Sequence, residues 1–191
     1  MSLLKDAAVA WTELLPLSFQ ITYGKSKKLH TINLSFQEEH FFHLCGMQYI
    51  NDIDFQIPIS SPDFLSSVMC ESFDPVIIEK STNWDIVKGR LEGIVSLKQI
   101  LESDFSLYFF DPYRLGFYTK ISATYLIKDQ HTGDVVFLFV DGSLDASYCR
   151  SVFKKTANDF TTNQTKLKVL RKIRVENDTE TVIFDKIKSL P

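Results

Sequence analysis

The stretch Val135-Val136-Phe137-Leu138-Phe139-Val140, followed by Asp141-Gly142, is apolar at each of its first six positions. A short run of β-branched and aromatic residues that ends in turn-forming residues reads as a strand. Odd and even positions are equally apolar, so both faces of that strand must be covered, and it belongs in the interior of a sheet. Working outward from this strand (residues 135–141), residues 105–110, 117–128, 148–153, 166–175 and 181–187 also have strand character. Asp111-Pro112, residues 130–133, Asp141-Gly142 and Asn177-Asp178 supply turns between them. Connections this short make successive strands antiparallel.

Helix dominates what precedes this sheet. Leu4, Ala8, Trp11 and Leu15 recur at helical spacing over residues 3–15, and Pro16 stops the run. Residues 17–23 and 29–36 alternate in polarity around 24–28 and predict a hairpin. A second helix is expected over 38–50, with Glu38 and Glu39 favourably placed in its first turn. Residues 51–62 read as a loop, and 63–73 and 85–101 as helices, the latter with Asn83 as a cap. The expected fold is α+β: N-terminal helices packed on a twisted antiparallel β-sheet built mainly from residues 105–187, the helix over 38–50 lying on one face. It is expected to be a single domain, residues 1–191, with a hairpin and helix-rich part over 1–103 and a sheet part over 104–191.

The 16 Phe and 7 Tyr, against only 7 Gly and 6 Pro, support a large core and leave little chain for flexible linkers. At 191 residues, that core suits one domain better than two. Lys5, Asp6 and Glu13 interrupt the N-terminus, which predicts an amphipathic helix and not a secretion signal. No apolar run reaches membrane-spanning length. Cys45, Cys70 and Cys149 are odd in number and far apart, so no disulfide framework is implied. Together these features predict a cytoplasmic protein with no membrane partner.

The net charge is −3, yet residues 150–174 hold Arg150, Lys154, Lys155, Lys166, Lys168, Arg171, Lys172 and Arg174 against the single acid Asp159. Local field, more than net charge, attracts a polymer of phosphates, so this strip suits a nucleic acid. Thr161, Thr162, Gln164 and Thr165 add groups that match phosphate and sugar oxygens. The competing explanation is a solvated edge strand that lysines protect from aggregation. If 167–175 is one strand, Arg171 shares a face with Leu167, Val169, Ile173 and Val175. A guanidinium there needs a carboxylate or a phosphate, unless a bulge near Leu170 turns it outward. Arg150, between Tyr148 and Val152, poses the same choice.

His43 stands in Phe41-Phe42-His43-Leu44-Cys45-Gly46. In partly dry surroundings a group that titrates near neutrality can serve as general acid or base, although such a histidine is more often structural. His40 lies one turn earlier, but no third ligand accompanies the pair and the zinc-protease spacing is missing, so no metal site is expected. Lys120, Ser122 and Thr124 share one face of the strand over 117–128. The sequence has no phosphate-binding glycine loop, dinucleotide fingerprint, nucleophile elbow or paired-cysteine metal motif. A dehydrogenase, a kinase and an α/β-hydrolase are therefore unsupported, and no cofactor is expected.

In chain order, Phe41-Phe42-His43-Leu44-Cys45-Gly46 is followed by Ile121-Ser122-Ala123-Thr124-Tyr125, then Cys149-Arg150-Ser151-Val152-Phe153. Asp159-Phe160-Thr161 with Gln164, Val169-Leu170-Arg171-Lys172 and the ending Ile183-Phe184-Asp185-Lys186-Ile187 complete the set. This ordered set resembles a family of phage and prophage proteins related to the barnase, EndoU, colicin E5/D and RelE-like nucleases, over nearly the whole chain. The resemblance implies a helix-then-twisted-sheet nuclease fold and a metal-independent endoribonuclease of toxin-like character. In such enzymes the ribose 2′-hydroxyl attacks the adjacent phosphate and leaves a cyclic phosphate end. That chemistry needs a proton acceptor, a proton donor, and cations on the developing phosphorane charge.

By this resemblance His43 is the acid/base, Arg150 and Arg171 clamp the phosphate, and Thr161 and Gln164 orient the backbone. Lys120 is the candidate for the second proton-transfer group, and Lys166, Lys168 and Lys172 extend the substrate contacts along the strip. His40 matches no family position, and Val152 stands where the family carries a second aromatic. The implied partner is RNA, with an inhibitor or antitoxin protein as a second candidate. Two other readings use the same fold: a prophage accessory protein that binds nucleic acid without cutting it, and a protein-interaction module with an acidic partner. Cleavage requires His43 in one cleft with Arg150 and Arg171; the accessory protein needs the strip exposed but His43 buried elsewhere, and the interaction module an apolar patch bordering the strip.

Overall fold

Ser2 starts the first helix, its hydroxyl accepting from the backbone N–H of Lys5 at 3.3 Å in an N-cap. The computed structural model of the chain describes residues 2–53, 61–72, 74–130 and 133–187. Helix α1 (Leu3–Leu14) leads into a hairpin of β1 (Leu17–Lys25) and β2 (Lys28–Ser35). Ser26 and Lys27 make its turn with φ of 51° and 63°, the paired left-handed conformation whose twist matches two antiparallel strands. Four helices follow, α2 (His40–Cys45), α3 (Ser61–Met69), α4 (Trp84–Val95) and α5 (Leu97–Glu102). The rest is β3 (Ser106–Phe109), β4 (Tyr125–Asp129), β5 (Val136–Gly142), β6 (Ser147–Lys154), β7 (Thr165–Glu176) and β8 (Thr179–Asp185).

The α+β class agrees with the sequence, but the sheet is not the plain twisted sheet expected from it. It closes into a barrel: β1-β2-β6-β5-β4-β3-β7 lie side by side, β7 pairs back onto β1, and β8 is added outside on β7. Residues 105–187 build most of the sheet, as expected, and the N-terminal hairpin adds two strands to it. β7 makes closure possible. One of its edges bonds to β1, while the other is shared by β3 along residues 165–167 and by β8 along residues 171–176. A bulge at Leu170 on the β1 side and a register shift on the β8 side bend the strand, as closure of a barrel demands. The seam is β2 against β6, parallel and only two residue pairs long, Leu34 with Ser147 and Ser35 with Tyr148.

β5 lies between β4 and β6 with residues 136–140 all buried, as its two-sided apolar pattern predicts. Two cores account for its two faces. Val136, Leu138 and Val140 belong to the main core, shared with the helices, whereas Phe137 and Phe139 pack into a second cluster with Phe110, Leu126 and Phe160. Rings there meet edge to face, Phe110 with Phe139 at 5.0 Å and Phe139 with Phe160 at 5.3 Å. Burial of each such ring contributes about 2 kcal/mol.

That second cluster explains why the strand expected over 117–128 begins only at Tyr125. Phe117, Ile121 and Ala123 are used as a lid on the cluster, so residues 117–124 run extended over the sheet and not within it. Alternation survives without pairing: Tyr118, Lys120 and Ser122 point outward and are exposed. The helix expected over 38–50 also divides. α2 ends at Gly46, which takes φ 84°, and a single tighter turn covers Met47–Tyr49. The helix expected over 85–101 is two, α4 and α5, meeting at Ser96. Most of the loop expected at 51–62, the end of the 63–73 helix at residue 73 and the middle of the 130–133 turn lie outside the described residues.

Candidate active site

A cleft of about 460 Å³ opens where β6 meets the end of α2, one side of α4 and the extended segment 117–124. His40, His43, Arg90, Lys120, Tyr148 and Arg150 stand on its walls. A larger depression of about 720 Å³ is walled by Glu71, Asp74 and Glu79, with Lys5 paired to Glu71 at 3.5 Å, a charge balance unsuited to phosphate. Among the described residues no group of three or more His, Cys, Asp or Glu side chains gathers to hold a metal ion. Nor is any helix among them long and apolar enough to cross a membrane.

α2 supplies both histidines. Phe41, Leu44 and Cys45 are buried, which leaves the opposite side of the short helix, with His43, to solvent. The core-histidine explanation therefore fails for His43, whose ring is exposed and, among the described rings, meets the edge of Phe42 at 5.4 Å. His40, one turn earlier, stacks on Tyr148 at 4.9 Å, and its Nε2 is 3.9 Å from Glu39 Oε1. Its Nδ1 is buried with no hydrogen-bond partner among the described residues. Burial lowers the His40 pKa below its ordinary value, the Glu39 carboxylate works against this, and His43 works with it.

Arg90 is the buried cation of the site. Val87, Arg90, Leu91 and Ile94 form the inner stripe of α4, so helical spacing drives a guanidinium under the surface, 8% exposed. It lies over the rings of Tyr49 at 5.2 Å and Phe153 at 5.7 Å. Its only hydrogen bonds are long, 3.5 Å to the Leu44 carbonyl and 3.5 Å to the Tyr49 hydroxyl, and no carboxylate pairs with it among the described residues. Burial lowers its pKa, but a guanidinium starts so high that it stays charged. Gly46 makes room for it: a Cβ at Gly46 would come within 2.7 Å of Arg90 Cδ. Asn83 Nδ2, which donates to the Tyr49 carbonyl at 2.9 Å, fixes the Tyr49 turn to the start of α4. Asp52 secures the same corner, accepting from Ser81 Oγ at 2.6 Å and from Thr82 N and Oγ1 at 2.8 and 2.7 Å.

Arg150 enters from β6. Phe139 pairs with Ser151 and Val140 with Cys149, which makes Arg150 the extra residue of a β-bulge and turns it out into the cleft. Close packing holds that strand against α4, since a Cβ at Gly93 would come within 2.9 Å of Val152 Cγ2. Ser151 beside it is 4% exposed, lines the cleft, and its hydroxyl has no hydrogen-bond partner among the described residues. Lys120 and Ser122 arrive on the outward side of segment 117–124.

The structure brings together His43, Lys120 and Arg150, and leaves the other sequence candidates elsewhere. β6 and β7 are separated by two strands one way round the barrel and by three the other, so residues 150–174 do not form one continuous positive surface. The bulge near Leu170 is present, and Arg171 finds a carboxylate, Asp185 of β8, at 3.5 Å. Lys172 is 4% exposed and donates to the backbone carbonyls of Leu101, Glu102 and Ser103. Burial lowers its pKa, and Asp104, Asp129 and Glu102 oppose the shift. Arg174 pairs with Glu102 at 2.6 Å, and Lys154 with Glu92 and Asp134, each at 2.9 Å. Lys166 and Lys168 remain exposed on β7, away from the cleft.

Thr161 and Gln164 serve the lid of the second core. Thr161 donates from N and Oγ1 to Asp159 at 2.9 and 2.6 Å, and Gln164 bonds both the N–H and the carbonyl of Asp111 at 2.7 and 3.0 Å. Burial opposes ionisation of Asp159, but those Thr161 bonds, with Lys128 and Lys155, hold it well below the ordinary carboxylate range. Sequence reasoning missed Arg90 and set His40 aside. An arginine at an apolar-stripe position of α4 was the available signal for the first; nothing local marks the second.

The helices and the closed barrel thus frame a cleft that joins histidines to cations. The family model described as phage-Barnase-EndoU-ColicinE5/D-RelE like nuclease 4 matches residues 3–189. The chain belongs to that family. No curated protein and no solved structure matches it.

Proposed function

We propose that this protein is a metal-independent endoribonuclease that works in the cleft between β6, α2 and α4. The observation that carries this reading is Arg90, a buried guanidinium with no carboxylate partner among the described residues, beside two histidines and two further cations. A desolvated cation held without an acid attracts an anion strongly, and the planar fork of an arginine matches phosphate. Arg90 and Arg150 hold the scissile phosphate, and Lys120 faces the charge that builds on its non-bridging oxygens. His40, kept neutral by burial, takes the proton of the 2′-hydroxyl as the O2′–P bond forms. His43 gives a proton to O5′ as the P–O5′ bond breaks. The products are a 2′,3′-cyclic phosphate and a 5′-hydroxyl, and the two histidines then exchange protons with water.

Lys120 thus supplies charge, and His40 takes the second proton-transfer role. The family description supports the nuclease reading; a phage or prophage origin and toxin-like action on RNA belong to the proposal. Incubation of the purified protein with RNAs of varied sequence and structure, with and without EDTA, tests the proposal. The expected result is cyclic phosphate ends, unaffected by EDTA and lost in His43→Ala. A folded protein that leaves every RNA intact overturns it in favour of an accessory protein that binds without cutting.

A further inference from the structure

A second depression, of about 470 Å³, lies on the other side of Arg90 from the cleft. Tyr49, Arg90, Lys120 and Ile121 line both, so the two are one continuous surface with the buried cation at the divide. Their characters differ. The cleft gathers cations and histidines, whereas this groove is flanked by Tyr118, Ile86 and Tyr49, which are 84%, 49% and 39% exposed, with Phe153 at its floor. Lys154 lines it too but is neutralised by Glu92 and Asp134. Asp85 adds negative charge, so a phosphate is better placed toward Arg90 and Lys120 than inside the groove.

Tyr118 has no fold-supporting contact: among the described residues its ring stacks on nothing and its hydroxyl bonds to nothing. Alternating exposure along segment 117–124 places it two residues from Lys120 on the same outward side, at most about 7 Å along the chain. A free aromatic ring at that distance from a phosphate-binding cation suits a nucleobase one step along a polynucleotide. Such a base must first leave its partner strand, because a ring can stack only on a face that is not already covered.

We infer that this groove is a base-stacking subsite, in which Tyr118 and Tyr49 hold a nucleobase next to the phosphate bound at Arg90, and that it selects single-stranded over duplex nucleic acid. The inference rests on the reading of the cleft as the phosphate site. It names an occupant by chemistry: a flat apolar ring tethered to an anion, which an acidic peptide does not supply in one unit.

The test uses a 2′-O-methyl oligouridine about eight nucleotides long, whose blocked 2′-oxygen prevents cleavage, so binding is read apart from catalysis. Fluorescence anisotropy compares it, single-stranded and paired, on wild type, Tyr118→Ala, Tyr118→Phe and Tyr113→Ala. Tyr113 is 96% exposed and lines neither cavity, so it controls for loss of any surface ring. Tyr118→Ala is expected to weaken single-strand binding on the order of tenfold, with Tyr118→Phe and Tyr113→Ala near wild type. A change within twofold in Tyr118→Ala, wild-type affinity for duplex equal to that for single strand, or no binding at all, overturns the inference. Unmodified RNA is tested for cleavage in parallel. Binding that depends on Tyr118 with no cleavage sinks the ribonuclease reading and leaves the groove standing; cleavage indifferent to Tyr118 does the reverse.

Discussion

β6 and β7 each carry a bulge beside an arginine, and the two strands use it to opposite ends. On β6 the bulged residue is Arg150 itself, which is turned into a cleft with two histidines and a buried guanidinium. On β7 the bulged residue is Leu170, and the next residue, Arg171, pairs with Asp185. In the linear chain the two arginines lie in one basic block; in the barrel they stand on different walls. The comparison separates two fates of a basic residue. On the β7 wall carboxylates pair with Arg171 and Arg174 and carbonyls hold Lys172, so most of that charge supports the fold, although the Nε of each arginine is buried with no hydrogen-bond partner among the described residues. On the β6 wall Lys154 is paired, but Arg150, with Arg90 and Lys120 beside it, has no carboxylate partner among the described residues and is left for a ligand.

The largest expected effect tests the β6 wall alone. His43→Ala should lower cleavage by roughly a hundred- to ten-thousandfold, with melting temperature and RNA affinity near wild type, since a proton-transfer group acts in the transition state. A variant that melts early but still cleaves would make His43 structural. The next pair sets wall against wall. Arg150→Ala should lower kcat/KM by roughly a hundredfold, as expected for loss of one charge-stabilising donor. Arg171→Ala should leave cleavage within about threefold and lower the melting temperature, because it strips a half-buried ion pair from the edge of the barrel. Equal losses of activity would erase the distinction.

A smaller effect concerns pH. His40 has its pKa lowered by burial, so its neutral form persists further into acid than an unperturbed histidine allows. The acid limb of kcat/KM is therefore expected below pH 6.5, the ordinary histidine value. Glu39 opposes that shift. Glu39→Gln removes a charge that stabilises the imidazolium, and the limb should move lower still. A limb that stays in place or moves upward would dissociate His40 from the rate. The smallest expected effect is on salt dependence. Lys120→Gln should flatten the plot of log affinity against log salt by about 0.7, the share of one phosphate contact on a single strand. Lys166→Glu with Lys168→Glu, on the β7 wall, should leave the slope unchanged. A flattened slope in the β7 variant would return the strip to the binding surface.

Local chemistry was enough for much of the fold. The apolar run at 136–140 is interior, and the β1–β2 hairpin stands where alternation placed it. Gly46 ends α2 because its backbone takes a left-handed φ. Where periodicity misled, a second partner was the cause. Residues 117–124 alternate like a strand, but their apolar side covers the Phe137 and Phe139 rings and not the barrel interior.

Residue identity and spacing determined the element types, the two-sided burial of β5, the exclusion of several enzyme classes, and the family motifs around His43 and Arg150. They did so because propensity, alternation and capping act over a few residues. Tertiary structure alone decided that β1 would close on β7, that Arg150 and Arg171 would part company, and that Arg90 and His40 would join His43. Those outcomes depend on pairings between distant segments, on two bulges, and on which acids come within reach of which bases, and each is a property of the folded barrel.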